Sequence, residues 1–194
     1  MRLWNNDLIK IIRQKIQRNN QYKVAKIKVL KDIFLNQNGN YKLQLGFVEQ
    51  DIVIYNETLT ISSFYNINNL LVHNYREDEM VIPKIICELK YDGITSHGLI
   101  TYSNYASDIK SIFPHCKYIL ILRYRNTSTA NKLLRHGKIF DKIIFLDEGK
   151  SPRHYAEGSF QTELGNDLTL KNKFDELLKY FNNILKTNNS FFIK

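Results

Sequence analysis

Three short runs of apolar residues most constrain how this chain can fold. They lie at 84–90, 117–122 and 142–146, and helical spacing follows the first run up to Pro114 and recurs over about 128–136. Runs of this length are typical of strands that are buried on both faces. Strands that alternate with helices need crossover connections, which pair neighbouring strands in parallel. The sequence therefore predicts an α/β protein with a mixed central sheet flanked by helices.

The N-terminal part of the chain predicts two helices followed by two strands. Apolar residues recur at helical spacing over about 6–18 and again over 24–34. A polar turn separates the second helix from an alternating strand over 41–45, and a further strand covers 51–55. We expect both strands to join the central sheet.

Two segments lack a regular pattern. Residues 57–79 combine a strand-like stretch over 58–64 with a stretch over 66–75 that fits a loop or a short helix. Residues 149–166 contain three glycines and are predicted to form a loop. A closing helix is expected over 167–186, where apolar residues again recur at helical spacing.

Length and charge limit the class of protein. A chain of 194 residues suits a single domain over 1–194. The chain carries 28 Lys and Arg against 19 Asp and Glu, a net charge of +9, which favours a polyanionic partner such as nucleic acid or an anionic membrane surface. No apolar run reaches the roughly 18 residues of a spanning helix, and the N-terminus lacks a signal-peptide core. We therefore expect a cytoplasmic protein without membrane association.

The two cysteines give no sign of a metal site or a disulfide framework. Cys87 and Cys116 both lie in apolar, strand-like segments, and neither has a second cysteine at metal-ligand spacing. We expect both to be buried thiols.

Charged residues interrupt the first apolar run in a pattern that suggests chemistry. Side chains two apart on a strand leave the same face, so Glu88 and Lys90 point together while Cys87 and Leu89 point to the other side. If the strand that begins at Asp51 is a neighbour, two carboxylates and one ammonium converge. Such a set can bind Mg²⁺ and activate water.

An acidic residue, a variable gap and then Glu-x-Lys on a strand resembles the motif of the PD-(D/E)XK nuclease superfamily, whose fold is the restriction-endonuclease-like fold. The matching residues are Asp51, Glu88 and Lys90, within a core at about 22–147. Gln50 stands where the family name has proline, and the 36 residues of 52–87 make a long gap that implies an insertion. Asp78 is an alternative first acid, although it lies in a polar run.

The resemblance implies a role for each motif residue. Asp51 and Glu88 would be carboxylate ligands of Mg²⁺, and the backbone carbonyl of Leu89 would be a third ligand, with waters completing the octahedron. Lys90 would orient the attacking water or stabilise the phosphorane. Glu57 and Asp92 are further carboxylates that could act as ligands, and turn or surface positions are their simpler roles.

Basic, aromatic and hydroxyl side chains near the motif and in the later loop are candidates for contact with DNA. Those after the motif and after the second apolar run lie where α/β proteins often place functional side chains. The candidates are Ser96, His97, Tyr102, Arg123, Arg125, Arg153 and His154. Thr95 or Ser96 could cap the helix that follows the motif, and capping is the simpler role for Ser96.

These features predict a Mg²⁺-dependent endonuclease that acts on double-stranded DNA, similar to a type II restriction enzyme. Cleavage of both strands at a palindrome needs two sites related by a two-fold axis, so a homodimer is expected. Repair or junction-resolving nucleases of the same superfamily are an alternative, as is a non-catalytic basic module that binds nucleic acid. RNA is an open alternative to DNA as the substrate.

Overall fold

The structure is a computed structural model and describes residues 2–16, 21–36, 42–60, 71–73, 79–124, 127–147, 149 and 154–187. Five helices and six strands lie within these ranges. They are α1 (Arg2–Ile16), β1 (Lys23–Asn36), β2 (Lys42–Thr60), β3 (Leu71–His73), β4 (Glu79–Lys90), α2 (Ser96–Ile112), β5 (Lys117–Tyr124), α3 (Thr127–His136), β6 (Lys142–Asp147), α4 (Ser159–Asn166) and α5 (Leu168–Thr187).

One mixed sheet organises the described chain. Its strand order is β1-β2-β4-β5-β6, and β3 pairs with β2 beside this path. The pairs β1–β2 and β2–β4 are antiparallel, whereas β4–β5 and β5–β6 are parallel and are connected through α2 and α3. The predicted α/β class with a mixed central sheet flanked by helices is confirmed. A single domain over 1–194 stays a prediction.

Each face of the sheet is covered by its own group of helices. The first face, formed by residues such as Ile52, Cys87 and Ile119, packs against α1, α4 and α5. The second face, formed by residues such as Val53 and Ile86, packs against α2 and α3. Residues that alternate along β4 therefore belong to different layers, as the period of a strand requires. Cys87 and Cys116 are both buried and free, as predicted.

The predicted helix over 24–34 is wrong, because these residues form β1. The strand pairs with β2 along its length, and the pairing shifts between Ala25 and Ile27 and again between Leu30 and Asp32. At the first shift the extra residue lies in β2, whereas at the second shift it is Lys31 of β1, which interrupts the two-residue alternation that marks a strand. The remaining apolar spacing imitates a helix, which is why periodicity alone misassigned the segment.

The two strands predicted over 41–45 and 51–55 are one continuous strand, β2, of 19 residues. Its last residues, Glu57–Thr60, belong to the segment that lacked a pattern, and Leu71–His73 of the same segment forms β3. Residues 61–70 and 74–78, including Asp78, lie outside the described residues, and Glu79 is the first residue of β4. A long strand paired with β1 on one side and with β4 on the other carries the first acid of the motif.

Smaller differences follow from local chemistry. β4 begins at Glu79, five residues before the apolar run 84–90, and the pairing with β2 shifts at Tyr55 and Pro83, where a missing backbone N–H is tolerated. Of the two predicted caps of α2, Thr95 is the one used, and its hydroxyl accepts a hydrogen bond from the Gly98 N–H at 3.0 Å. Part of the predicted loop 149–166 is helix α4.

The predicted terminal helices are present with shifted bounds, as α1 and α5. Among the helices that the structure describes, none combines the length and the apolar character that a membrane span requires.

Asp141 joins three elements at the start of the parallel strands. Its carboxylate accepts a hydrogen bond from the Tyr118 N–H at 2.9 Å and forms ion pairs with Lys117 at 3.0 Å and Lys110 at 2.7 Å. Burial alone would raise the pKa of Asp141, but these hydrogen bonds and the lysine charges outweigh burial and lower it. The ionised carboxylate therefore stabilises the folded state.

We expect Asp141→Ala to reduce the free energy of unfolding by about 2–3 kcal/mol at pH 7, because two lysines and a backbone N–H lose their acceptor. The difference from the wild type should shrink as the pH falls below 3.8, where the wild-type carboxylate becomes protonated. Urea denaturation measures both effects. The matched control, Asp175→Ala at an exposed position of α5, should cost less than about 0.5 kcal/mol. Equal losses in the two variants would contradict the assignment.

Candidate active site

The register between β2 and β4 brings the two acids of the motif together. Ile52 pairs with Cys87 at the end of this antiparallel ladder, and the next residues along the two strands are Asp51 and Glu88. Beyond Ile52 the ladder between β2 and β4 ends, while β2 continues beside β1. The two carboxylates therefore lie where the two strands separate.

A β-bulge lies at the same point of β2. Between the pairs Ala25–Val53 and Ile27–Gln50, β2 has two residues, Asp51 and Ile52, where β1 has one. Bulges turn side chains out of the regular alternation and are frequent beside active sites. The side chain of Asp51 therefore need not follow the regular alternation of side chains along β2.

The carboxylate of Asp51 is fixed by contacts from two elements. One oxygen, Oδ2, accepts a hydrogen bond from the backbone N–H of Leu89 at 2.9 Å. The other oxygen, Oδ1, accepts a long hydrogen bond of 3.4 Å from the side-chain amide of Asn5 on α1. Leu89 thus contacts Asp51 through its N–H, and its carbonyl as a metal ligand stays a prediction.

Glu88 and Lys90 lie together on the second face of the sheet, as predicted from strand alternation. Ile86, two residues earlier, packs among residues of α2 on this face, whereas Cys87 and Leu89 belong to the core of the opposite face. Glu88 is only 6% exposed, and its Oε1 accepts a hydrogen bond from the Lys90 ammonium at 2.8 Å. A buried ion pair therefore ends β4.

The Lys90 ammonium does not offset the cost of burying the charged Glu88 carboxylate beside Asp51. Burial and the nearby charge of Asp51 raise the pKa of Glu88 to about 7, although the charge of Lys90 and hydrogen bonds with Lys90 and Tyr102 oppose the rise. For Lys90, burial lowers the pKa, but the charge of Glu88 and hydrogen bonding outweigh burial and leave the pKa raised. The site therefore has an excess of negative charge that a cation would relieve.

Two aromatic residues border the pair. The Lys90 ammonium lies over the ring of Tyr102 on α2, 4.2 Å from the ring centroid. The Tyr118 hydroxyl on β5 donates a hydrogen bond of 2.6 Å to the side-chain oxygen of Gln50, and the charges of Glu88 and Asp51 contribute to raising the pKa of Tyr118 after burial. A buried Tyr118–Gln50 pair therefore lies close to the two acids.

Asn5 and Gln50 were missed as parts of the site. In the sequence, Gln50 stands out only as a replacement for proline, although a glutamine next to an apolar strand also indicates a buried polar partner. Its side-chain nitrogen is buried without a hydrogen-bond partner, as is the side-chain oxygen of Asn5. No signal in the sequence could relate Asn5 to Asp51, because they are 46 positions apart and meet only through the packing of α1.

Arg123 does not fit the predicted contact with phosphate. Its side chain is buried, with 2% exposure for the residue, and its two terminal nitrogens pair with Asp147 at 3.1 Å and Glu163 at 2.6 Å. The guanidinium also lies 4.6 Å from the ring centroid of Tyr124. The Arg123 guanidinium is already paired with two carboxylates and connects β5, β6 and α4. It is therefore not available to bind a DNA phosphate.

The other candidates are exposed or partly buried, or they lie outside the described residues. Ser96, His97, Asp92 and His154 are exposed, and Glu57 is partly buried. Arg125 and Arg153 lie outside the described residues. The proposed DNA contacts of the exposed residues stay predictions.

The donor set agrees with the requirements of Mg²⁺. This ion prefers oxygen ligands and is commonly bound through one or two carboxylates while it keeps several waters. Asp51 and Glu88 provide such carboxylates, and the unbalanced charge of Glu88 favours a cation. Within the described ranges, no group of three or more His, Cys, Asp or Glu residues could hold a metal ion, so a site here would depend on these two acids and water.

Comparison with known proteins finds a distant likeness to a solved structure. No family model matches the chain, and no curated protein matches it. A solved structure described as the native BbvCI A2B2 tetramer at low resolution is similar over 80% of this chain and 60% of its own, with 15% identity and a TM-score of 0.43. This chain therefore spans less than two thirds of that one. Because the match is distant, the assignment of the site residues rests on their geometry in this chain alone.

We expect Glu88→Gln to be more stable than the wild type at pH 8 in the absence of divalent cations. The raised pKa means that the folded state holds the proton more tightly, so the stability of the wild type falls as the pH rises from about 4.5 to about 7. The penalty above pH 7 is on the order of 3 kcal/mol, and glutamine avoids it. Thermal denaturation at pH 5 and pH 8 should show a difference that grows with pH.

The exposed Glu176→Gln on α5 is the matched control and should not change stability at either pH. Added Mg²⁺ should stabilise the wild type more than Glu88→Gln, since the ion binds the folded carboxylates. A stability difference that is the same at pH 5 and pH 8 would contradict the raised pKa of the buried Glu88 carboxylate.

Proposed function

We propose that this chain is a Mg²⁺-dependent endodeoxyribonuclease that hydrolyses phosphodiester bonds, of the restriction-endonuclease-like kind. The observation that supports the proposal is the convergence of Asp51, Glu88 and Lys90 where β2 and β4 separate. Two carboxylates and an ammonium gathered at a strand end oppose folding stability, as the raised pKa of Glu88 indicates. Perturbed ionisable groups of this kind cluster at functional sites.

The chemistry follows from what a phosphodiester needs. Its negative charge repels nucleophiles and its leaving oxygen is poor, so catalysis requires neutralised charge and a positioned hydroxide. A Mg²⁺ ion held by Asp51 and Glu88 would supply a Lewis acid and lower the pKa of a bound water. The Leu89 N–H fixes the orientation of the Asp51 carboxylate, and Lys90 presents N–H donors to the attacking water or to the phosphate.

The charge of the chain and the exposed residues near β4 support a nucleic-acid substrate. The net charge of +9 favours a polyanion. Ser96 and His97 follow β4 at the exposed start of α2, and His154 is exposed before α4. We propose these residues, together with Arg125 and Arg153, as contacts with DNA, and we leave Arg123 out.

Double-strand cleavage implies two copies of the site. One copy of the site cuts one strand, and a palindrome presents two equivalent strands related by a two-fold axis. We therefore propose a homodimer and a type II restriction enzyme as the specific form. A repair or junction-resolving nuclease would use the same residues, and a non-catalytic basic module would use the charge alone.

Purified protein should cut plasmid DNA in Mg²⁺ and leave it intact in EDTA. We expect Asp51→Asn, Glu88→Gln and Lys90→Ala each to reduce the cleavage rate by at least about 100-fold, because each removes a charge that the transition state needs. DNA affinity, measured by fluorescence anisotropy without divalent cations, should stay within about threefold, since the basic surface supplies it. Gel assays on defined DNA and RNA measure rate and substrate.

The controls are Glu176→Gln and Lys179→Ala, which change exposed charges of the same kinds on α5. Both should cleave at the wild-type rate. Cleavage that survives in all three site variants would reject this site, and binding without cleavage in the wild type would favour the non-catalytic module. Specific cleavage of a palindrome would support the restriction enzyme, whereas a preference for branched or damaged DNA would support the repair alternative.

A further inference from the structure

Tyr102 occupies a fixed position beside Lys90. It lies in the second turn of α2, and α2 is held against the sheet by Leu99, Ala106 and Ile109, which are buried in the core of the second face. The ring of Tyr102 is half-buried and its centroid is 4.2 Å from the Lys90 nitrogen, a distance at which an ammonium is attracted to the face of the ring. The geometry is therefore imposed by the packing of the helix.

Lys90 needs such a fixed partner. A lysine side chain has four rotatable methylene groups, and ordering it costs about 2 kcal/mol of rotamer entropy. In the structure the ammonium pairs with Glu88 Oε1 at 2.8 Å. In the proposed nuclease the Glu88 carboxylate also binds a cation, and its attraction for Lys90 is then weaker. The aromatic ring, which does not bind the cation, still holds the ammonium.

We propose that Tyr102 is a positioning residue that holds the Lys90 ammonium in the site through its ring. The role of Lys90 in this inference rests on the proposed function, while the contact itself does not. This assignment differs from the predicted contact of Tyr102 with DNA, because one face of the ring is covered by Lys90. The Tyr102 hydroxyl also influences the pKa of Glu88 and of Lys90, but the restraint proposed here is the contact of the ring with the ammonium.

Steady-state kinetics separate the ring from the hydroxyl. With Tyr102→Leu we expect kcat to fall roughly 5- to 30-fold, the range of a partly desolvated cation–aromatic contact, while KM and the DNA dissociation constant stay within about twofold. Tyr102→Phe keeps the ring and should restore kcat to within about threefold of the wild type. A rise in KM and in the DNA dissociation constant with unchanged kcat would overturn the proposal and identify Tyr102 as a DNA contact.

The chain offers a matched control. Lys142 lies 4.2 Å from the ring centroid of Tyr180 on α5, the same contact at the same distance. Tyr180→Leu should leave kcat and KM unchanged, which shows that loss of such a contact in general does not impair the enzyme. An equal fall in kcat in Tyr180→Leu would overturn the specific role of Tyr102.

A second readout does not require cleavage. The ring should shift the proton NMR signals of the Lys90 ε-methylene upfield, and these signals are assigned by comparison with Lys90→Arg. We expect the shift in the wild type and in Tyr102→Phe, with and without Mg²⁺, and its loss in Tyr102→Leu. If the wild type cleaves no nucleic acid, the proposed function fails and this shift alone decides the positioning. An unshifted Lys90 signal in the Mg²⁺-bound wild type would overturn the inference.

Discussion

The pairing of β2 with β4 is the constraint on which the site depends. It ends at Ile52 and Cys87, so that Asp51 and Glu88 come next on the two strands; the charges of these carboxylates repel each other, and burial strengthens that repulsion. The apolar pairs that follow along the same two strands, such as Ile52 with Cys87 and Val53 with Ile86, keep the register in place. The hydrophobic core therefore supplies the free energy that holds two like charges together.

Both layers of helices contribute to this pair of strands. From one layer, α1 brings the Asn5 amide to Asp51, and from the other, α2 brings the ring of Tyr102 to Lys90. Because a helix moves as a rigid body, the position of each contact is fixed by the packing of the whole helix. A change in the packing of either layer would alter one end of the site and leave the other in place.

The sequence predicted the elements whose patterns are local. Alternation in β4 gave the shared face of Glu88 and Lys90, and the apolar runs gave the parallel half of the sheet. It failed at β1, where the extra residue Lys31 breaks the alternation, and at the contacts of Asn5 and Tyr102, which form only when distant elements pack. The bulge at Asp51 leaves no trace in residue order, because any residue type can occupy it.

Two buried charges in this molecule show how structural and functional roles differ. Arg123 lies between Asp147 and Glu163, so its charge is matched and its burial ties β5 to β6 and α4. Glu88 has the single counter-charge of Lys90, and the nearby Asp51 adds to its own charge, so its pKa rises to about 7. A folded chain gains nothing in stability from that imbalance. A replacement by glutamine would remove the imbalance, and this is the reason for proposing that the site binds a cation.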